Sequence, residues 1–269
     1  MVVWGPFGLF CFFLALLAVA ESWRPLHLGG DEPGGRIPGN IGFGVINASL
    51  ALLLPLSTVI PAAWARSEGV GLLNAVAVPP LLAGVLTVLI RNLATYGVHV
   101  ASHKVPLLWR IHRVHHTDVR IDLSTGFRNH PLELGFVVPL LAVASAGFGL
   151  DPAVLAFYEA IAIGFALWDH VNLRLSDRLD RLLRLLLVTP AMHHLHHSAD
   201  RGETDSNYGD VFSFWDRLFG TYRESDLAAL RAMRIGLGSG FDDGASDIAR
   251  QLILPLRRTR PAADAEAQR

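Results

Sequence analysis

The sequence predicts an all-α fold: a polytopic membrane helical bundle of about four to five spans with a cytoplasmic histidine-rich helical cap. Three observations predict it. Hydrophobic residues make up 51% of the 269-residue chain and charged residues only 17%, against about 25% in soluble domains. Five charge-poor apolar runs approach the roughly 20 residues that a spanning helix needs. Eleven of the twelve histidines lie between His99 and His197, with His27 alone outside. Charge excludes other classes. Twenty-three basic residues against 24 acidic ones leave a net charge of -1, so nothing favours a nucleic-acid backbone. The single cysteine, Cys11, permits neither an intrachain disulfide nor a cysteine-based zinc site.

The runs cover residues 2–20, 41–65, 71–90, 134–150 and 152–168. The first lacks the basic start of a signal peptide and is longer than a usual h-region, so it reads as a retained helix in spite of Ala18-Val19-Ala20. Pro79-Pro80 interrupts the third. Asp151-Pro152 turns the fourth into the fifth, a hairpin over about 134–168 whose second arm carries Glu159. Lys104, Arg110, Arg113, Arg120 and Arg128 follow the third run, and seven arginines from Arg174 to Arg223 follow the fifth. The positive-inside rule puts both stretches on the cytoplasmic face. Three regions result: an N-terminal membrane region (1–91), a histidine-bearing domain including the hairpin (92–222), and a C-terminal cytoplasmic tail (223–269). Residues 21–40 read as a Gly/Pro-rich loop, 246–257 as an amphipathic helix on the inner leaflet, and 261–269 as a disordered end.

The histidines fall into three boxes: His99-Val-Ala-Ser-His103, His112-Arg-Val-His115-His116 and His193-His194-Leu-His196-His197. Residues at i, i+3 and i+4 share a helix face, so each box presents a co-facial pair or triplet, with His194 off the face. Neutral imidazole is a good ligand for iron, zinc, copper or nickel. Eight co-facial imidazoles, with His130 and His170 nearby, make ten, enough for two metals at about four to six ligands each. His27 and His194 read as structural residues.

Around these boxes the sequence resembles the fatty acid hydroxylase and sterol desaturase superfamily of integral-membrane di-iron oxygenases. The resemblance covers about residues 92–222. It rests on Pro106-Leu107-Leu108-Trp109-Arg110 between the first two boxes, His130-Pro131-Leu132-Glu133, Trp168-Asp169-His170-Val171-Asn172 and Thr189-Pro190. It closes on Asp205-Ser206-Asn207-Tyr208-Gly209 and Trp215-Asp216-Arg217-Leu218-Phe219-Gly220-Thr221. It implies metal ligands at His99, His103, His112, His115, His116, His170, His193, His196 and His197, with His130 as a tenth. It implies two Fe ions, with zinc as a substitute in preparations, and O2 as co-substrate. The reaction expected is hydroxylation or desaturation of an unactivated C–H bond in a membrane lipid. Asn172, Asp205 and Asn207 are candidates for orienting ligands, and Glu159 for lining a polar part of the chamber. Asn92 stands where the family usually has an acidic residue and Val100 where it has arginine.

The oxidation needs two electrons, and the chain has no Gly-rich dinucleotide fingerprint. A separate ferredoxin- or cytochrome-type donor with its reductase is therefore expected. The other class that the histidines permit is a membrane metal-binding or transport protein without oxygenase activity. Transporters place ligands near the bilayer midplane, whereas these boxes flank the runs. A zinc hydrolase would call for a pattern such as H-E-x-x-H, which is absent.

Overall fold

In a computed structural model of the chain, the described residues are 4–29, 35–54, 57–238, 241 and 244–257. Among them the regular elements are helices, with isolated bridges and no strand. In chain order they are α1 (Trp4–Trp23), α2 (Arg36–Leu53), α3 (Val59–Ser67), α4 (Leu72–Ala75), α5 (Pro80–Lys104), α6 (Pro106–His116), α7 (Leu134–Phe148) and α8 (Pro152–His170). The remainder are α9 (Asp177–Leu183), α10 (Pro190–His196), α11 (Arg201–Thr204), α12 (Phe214–Leu218), α13 (Leu227–Ala232) and α14 (Ile248–Ile253).

Among the described residues, three helical stretches are long and apolar enough to cross a membrane: Pro80–Lys104, Pro131–Phe148 and Pro152–His170. Of the about four to five spans expected from the sequence, three are found on length and hydropathy, with Gly8–Trp23 as a shorter apolar helix. The run at 41–65 is divided between α2 and α3. Ser57 Oγ accepts from the backbone N–H groups of Val59 and Ile60 and so fixes where α3 starts. The run at 71–90 ends as a separate span for another reason. Proline is tolerated at the first helical position because its missing N–H would be unsatisfied there. Pro80 takes that position, and α5 continues for 25 residues through His99 and His103. The hairpin turns at Asp151, whose carboxylate accepts from Ala153 and Val154 N–H at the start of α8. At this end, a Cβ on Gly71 would lie 2.4 Å from the Gly149 backbone nitrogen. Both glycines have positive φ, so this corner closes only on glycine.

Small apolar clusters join the elements. Leu17 of α1 packs with Leu167 and Val171, and Ala62 packs with Leu150 and Leu155. Phe43 of α2, Val114 of α6 and Leu254 form a third cluster, against which Ile248 and Leu252 lie. That third cluster corrects one expectation. The apolar face of α14 is taken up by the protein rather than turned wholly to a leaflet, although Ile253 and Leu256 stay exposed. Arg113 and Arg110 tie down the turn after α14 by donating to the carbonyls of Leu254, Arg257 and Pro255. Residues 258–269, including the expected disordered end, lie outside the described residues.

Beneath α6 the packing is polar. Arg36 pairs with Asp118 and Asp122, and Asn40 donates to Asp118 and Ser124. Arg128 donates to the carbonyls of Val114 and Ala245 and to Asn40 and Thr117. Burying a charge is costly unless it is paired or hydrogen-bonded, as these are. This lattice holds the C-terminal half of α6 where its histidines are needed.

Candidate metal centre

Four helix ends supply the histidines. His99 and His103 stand one turn apart in the last turns of α5. Val105 then breaks the helix, and α6 starts on Pro106 and brings in His112, His115 and His116. His170 ends α8. Pro190 starts α10, which carries His193 and His196, with His197 as its C-cap.

These nine side chains form two groups. His99, His103, His112, His116 and His196 each offer a ring nitrogen within 4.8 Å of the others' nitrogens, and His115, His170, His193 and His197 do the same. The boxes are therefore not assigned one per metal. In α6 the i, i+4 pair His112/His116 goes to the first group and His115 to the second. In α10, His193 and His197 join the second group and His196 the first. The groups adjoin where the His116 and His197 rings stack, 4.4 Å between centroids.

The outer ring nitrogens show which inner ones are free. His99 Nδ1–H donates to the Tyr208 carbonyl at 2.8 Å, and His196 Nδ1–H donates to Ser206 at 2.7 Å. His115 Nδ1–H donates to Arg128 at 3.2 Å and His170 Nδ1–H to Ala166 at 2.6 Å. A carbonyl oxygen can only accept, so these contacts assign the proton to Nδ1. His112 Nδ1 lies 3.3 Å from Glu133 Oε2, and His103 Nδ1 lies 3.5 Å from Asp205 Oδ1. In the five rings whose Nδ1 is hydrogen-bonded, Nε2 then carries a lone pair turned inward; His103 Nδ1 has no hydrogen-bond partner. In the first group all five Nε2 atoms are buried without a hydrogen-bond partner. In the second, His170 Nε2 stands 3.0 Å from His115 Nε2 and 3.0 Å from His193 Nε2, and His193 Nε2 lies 3.2 Å from His197 Nε2. The two lone pairs of His115 and His170 cannot satisfy each other. A cation bound by both satisfies them, so the donor set fits metal ions.

Protonation agrees with that fit. Burial, reinforced by the neighbouring imidazoles, holds His115, His116, His193 and His197 well below the ordinary imidazole value. Burial takes His196 down to about 3. The rings are thus neutral near pH 7, the form that binds a metal.

The closing segment 205–221 explains its own residues. Asp216 accepts from Tyr208 N–H at 2.7 Å, Gly209 N–H at 2.9 Å and Thr221 Oγ1–H at 2.7 Å. That pins the strap carrying the Ser206 and Tyr208 carbonyls. Asn207 adopts φ +52, and its side chain is anchored on Met192, beside His193, and on Arg223. A Cβ on Gly209 would meet the Phe212 carbonyl at 2.7 Å.

Several predicted site residues lie elsewhere. His130 joins neither group: its Nδ1 accepts from Leu132 N–H and its Nε2–H donates to the Leu252 carbonyl, so both nitrogens are used. Glu159 is bound by Arg91 at 2.9 and 3.0 Å and accepts from Thr58, an ion pair between helices outside both histidine groups. Asn172 holds no ligand ring; it exchanges hydrogen bonds with the His27 backbone. Asp205 faces His103 and also pairs with Lys104 and Arg201. Sequence reasoning passed over Glu133, although it sits in the quoted His130–Glu133 element, and it left His27 and His194 without a role. His194 Nε2–H donates to the His170 carbonyl, and its Nδ1 lies 3.0 Å from His27 Nε2. Asn92, at a departure from the family pattern, donates to Asp210 and Tyr158 and accepts from Trp215.

Fold and site define a membrane-associated helical protein with a histidine-built metal centre. Residues 84–221, just over half of the chain, match the family described as Fatty acid hydroxylase, and the chain belongs to that family. Among curated proteins, alkylglycerol monooxygenase of Homo sapiens is 29% identical over 129 residues, 47% of this chain and 27% of its own length. Ornithine lipid hydroxylase OlsE of Rhizobium tropici is 30% identical over 138 residues, 51% of this chain and 41% of its own length. A cholesterol 25-hydroxylase-like protein of Danio rerio is 33% identical over 128 residues, 46% and 48% of the two chains. The chain thus spans between about a quarter and a half of these relatives' lengths. No solved structure gives a significant match.

Proposed function

We propose that the chain is an O2-dependent di-iron monooxygenase that hydroxylates an unactivated C–H bond of a membrane lipid. The observation that carries this reading is the pair of buried histidine groups, five and four imidazoles whose ring nitrogens converge within 4.8 Å. Iron at both positions would supply O2 activation and the two-electron oxidation of the C–H bond. This chain's residues do the rest. Nine imidazoles hold the ions, and the backbone carbonyls with Glu133 and Asp205 fix ring orientation and ligand basicity. Burial of the histidines excludes water from the reacting volume.

The names of the relatives favour hydroxylation over desaturation: they read alkylglycerol monooxygenase, ornithine lipid hydroxylase and cholesterol 25-hydroxylase-like protein. The substrate class that these names suggest is a lipid. It would enter from the bilayer, because the histidine groups sit at the ends of α5 and α8. The abundance of Lys and Arg in 99–130 and 169–223 supports a cytoplasmic active face. Electrons would come from a separate ferredoxin- or cytochrome-type protein docking there.

Metal analysis of protein purified without oxygen tests the reading. Two irons per chain, antiferromagnetically coupled after oxidation, are expected. Zinc recovered instead would require expression with added iron. A folded protein that still takes up no iron would overturn the assignment. Sustained turnover with NAD(P)H alone would reject the separate donor.

A further inference from the structure

Outside the histidine groups, one cavity brings unsatisfied charge and aromatic walls together. It encloses about 200 Å3 between α6, α11 and the segment after α13, and is lined by Trp109, Arg113, Arg201, Thr204, Leu237 and Phe241, among others. Arg113 is fully buried. Its Nη2 donates to the carbonyls of Leu254 and Arg257, while Nε and Nη1 have no hydrogen-bond partner. Phe241 covers its guanidinium, 4.9 Å from carbon to ring centroid, and Arg201 lies over Trp109 at 4.6 Å. Arg201 and Lys104 share a single carboxylate, Asp205. Among the described residues no carboxylate pairs with Arg113.

A buried guanidinium without a counter-ion is costly, and each unmade guanidinium N–H is a charged donor suited to a carboxylate or phosphate oxygen. We propose that this cleft is a binding site for the anionic group of an amphiphile, a carboxylate or phosphate received by Arg113 and Arg201, with its apolar part against Trp109 and Phe241. The site adjoins the metal centre: the Trp109 ring lies 4.9 Å from His103 and 5.5 Å from His116. It stands on the cleft's own residues and holds whether or not the histidines carry out oxidation.

The test uses the full-length, metal-loaded protein and reads binding rather than turnover. Inorganic phosphate, octyl phosphate, octanoate and uncharged octanol are titrated separately. Binding is followed by calorimetry and by the fluorescence that Trp109→Phe removes. Saturable binding of the anions but not of octanol is expected. Octyl phosphate at least about tenfold tighter than phosphate identifies a lipid-like ligand, and equal affinities identify a free anion; both outcomes support the site. Arg113→Gln and Arg201→Gln should each weaken binding about tenfold or more, the worth of a charged hydrogen bond. Because Arg113 also anchors the turn after α14, Arg201→Gln decides the matter if Arg113→Gln does not fold. Octanol binding as well as octyl phosphate, no saturation by any anion, or wild-type affinity in Arg201→Gln would overturn the proposal.

Discussion

The two histidine groups share helices yet are backed differently. In the five-histidine group His99 and His196 donate to backbone carbonyls, His112 faces Glu133 at 3.3 Å and His103 faces Asp205 at 3.5 Å. Nδ1 of His103 and of His116 has no hydrogen-bond partner, and the two facing carboxylates have no counterpart in the other group. In the four-histidine group, His115 and His170 donate to backbone carbonyls, while Nδ1 of His193 and of His197 has no partner. A carboxylate partner raises the basicity of a ligating imidazole. One position is thus rich in ligands and negatively backed; the other is lean and neutrally backed. The comparison teaches that histidine boxes read as equivalent by spacing build two groups with unequal backing.

Ligand deletion is the harshest way to break the comparison. His193→Ala leaves three histidines in the lean group, and metal content should fall from two ions per chain towards one. Activity should fall by more than the roughly 10–100-fold that outer partners cost. His99→Ala leaves four ligands in the richer group and should keep most of its second ion, at lower affinity. His130→Ala should leave the content at two, since both of its nitrogens serve the backbone. Metal-to-protein ratios in the three variants decide this. Equal losses from His193→Ala and His99→Ala would remove the asymmetry.

A gentler change tests the backing alone. Glu133→Gln keeps the size and a hydrogen-bond acceptor but removes the charge behind His112. Affinity at the five-histidine position should drop about tenfold, with the other position unchanged. Competition with a chelator, following release of the two ions separately, would show it. Gly209→Ala acts at one remove further. Its Cβ would press on the Phe212 carbonyl and the Asp216 carboxylate, costing about 1–3 kcal/mol as an overpacked site. Displacing the Tyr208 carbonyl should disturb His99 in the five-histidine group alone. Thermal unfolding with and without added metal separates the two effects.

Much of this was legible in the sequence because histidine spacing on a helix is a geometric statement. His99/His103 and His112/His116 are i, i+4 pairs, and each pair stays within one group. The triplets were not legible in full. His115 and His193 share a face with their neighbours, but the two groups lie side by side, so one face serves both. Spacing cannot tell an adjacent ligand from a nearby bystander, which is why His130 looked equivalent to His170 until its two backbone contacts were seen. The carbonyls of Ser206, Tyr208, Arg128 and Ala166 carry no residue-type signal at all, since any side chain provides one. The spans were read from apolar runs, and their number is approximate for the same reason. Hydropathy does not register a serine that starts a new helix, so α2 and α3 looked like one run. Glu159 was singled out as an ionisable group in a span, and its answer, Arg91, lies 68 residues away.

The smallest expected effect concerns the lean group's support. His194 braces the His170 carbonyl and faces His27 at 3.0 Å. Burial, with Arg231 and Arg120 adding to it, lowers His27 from 6.5 to about 4. A histidine whose folded value is lowered stays neutral in the fold while the unfolded chain takes up a proton. Its contribution to stability is therefore complete above pH 6.5 and lost as pH falls from there towards 4, with a slope of at most about 1.4 kcal/mol per pH unit for one proton. Metal-stripped protein should lose stability more steeply across this window than its His27→Asn variant, by up to that one-proton slope. Denaturant unfolding at pH 7.5, 6.0 and 5.0 measures the difference. Identical slopes would mean that His27 already carries its proton in the fold, and the brace on His170 would then be a charged contact rather than a neutral one.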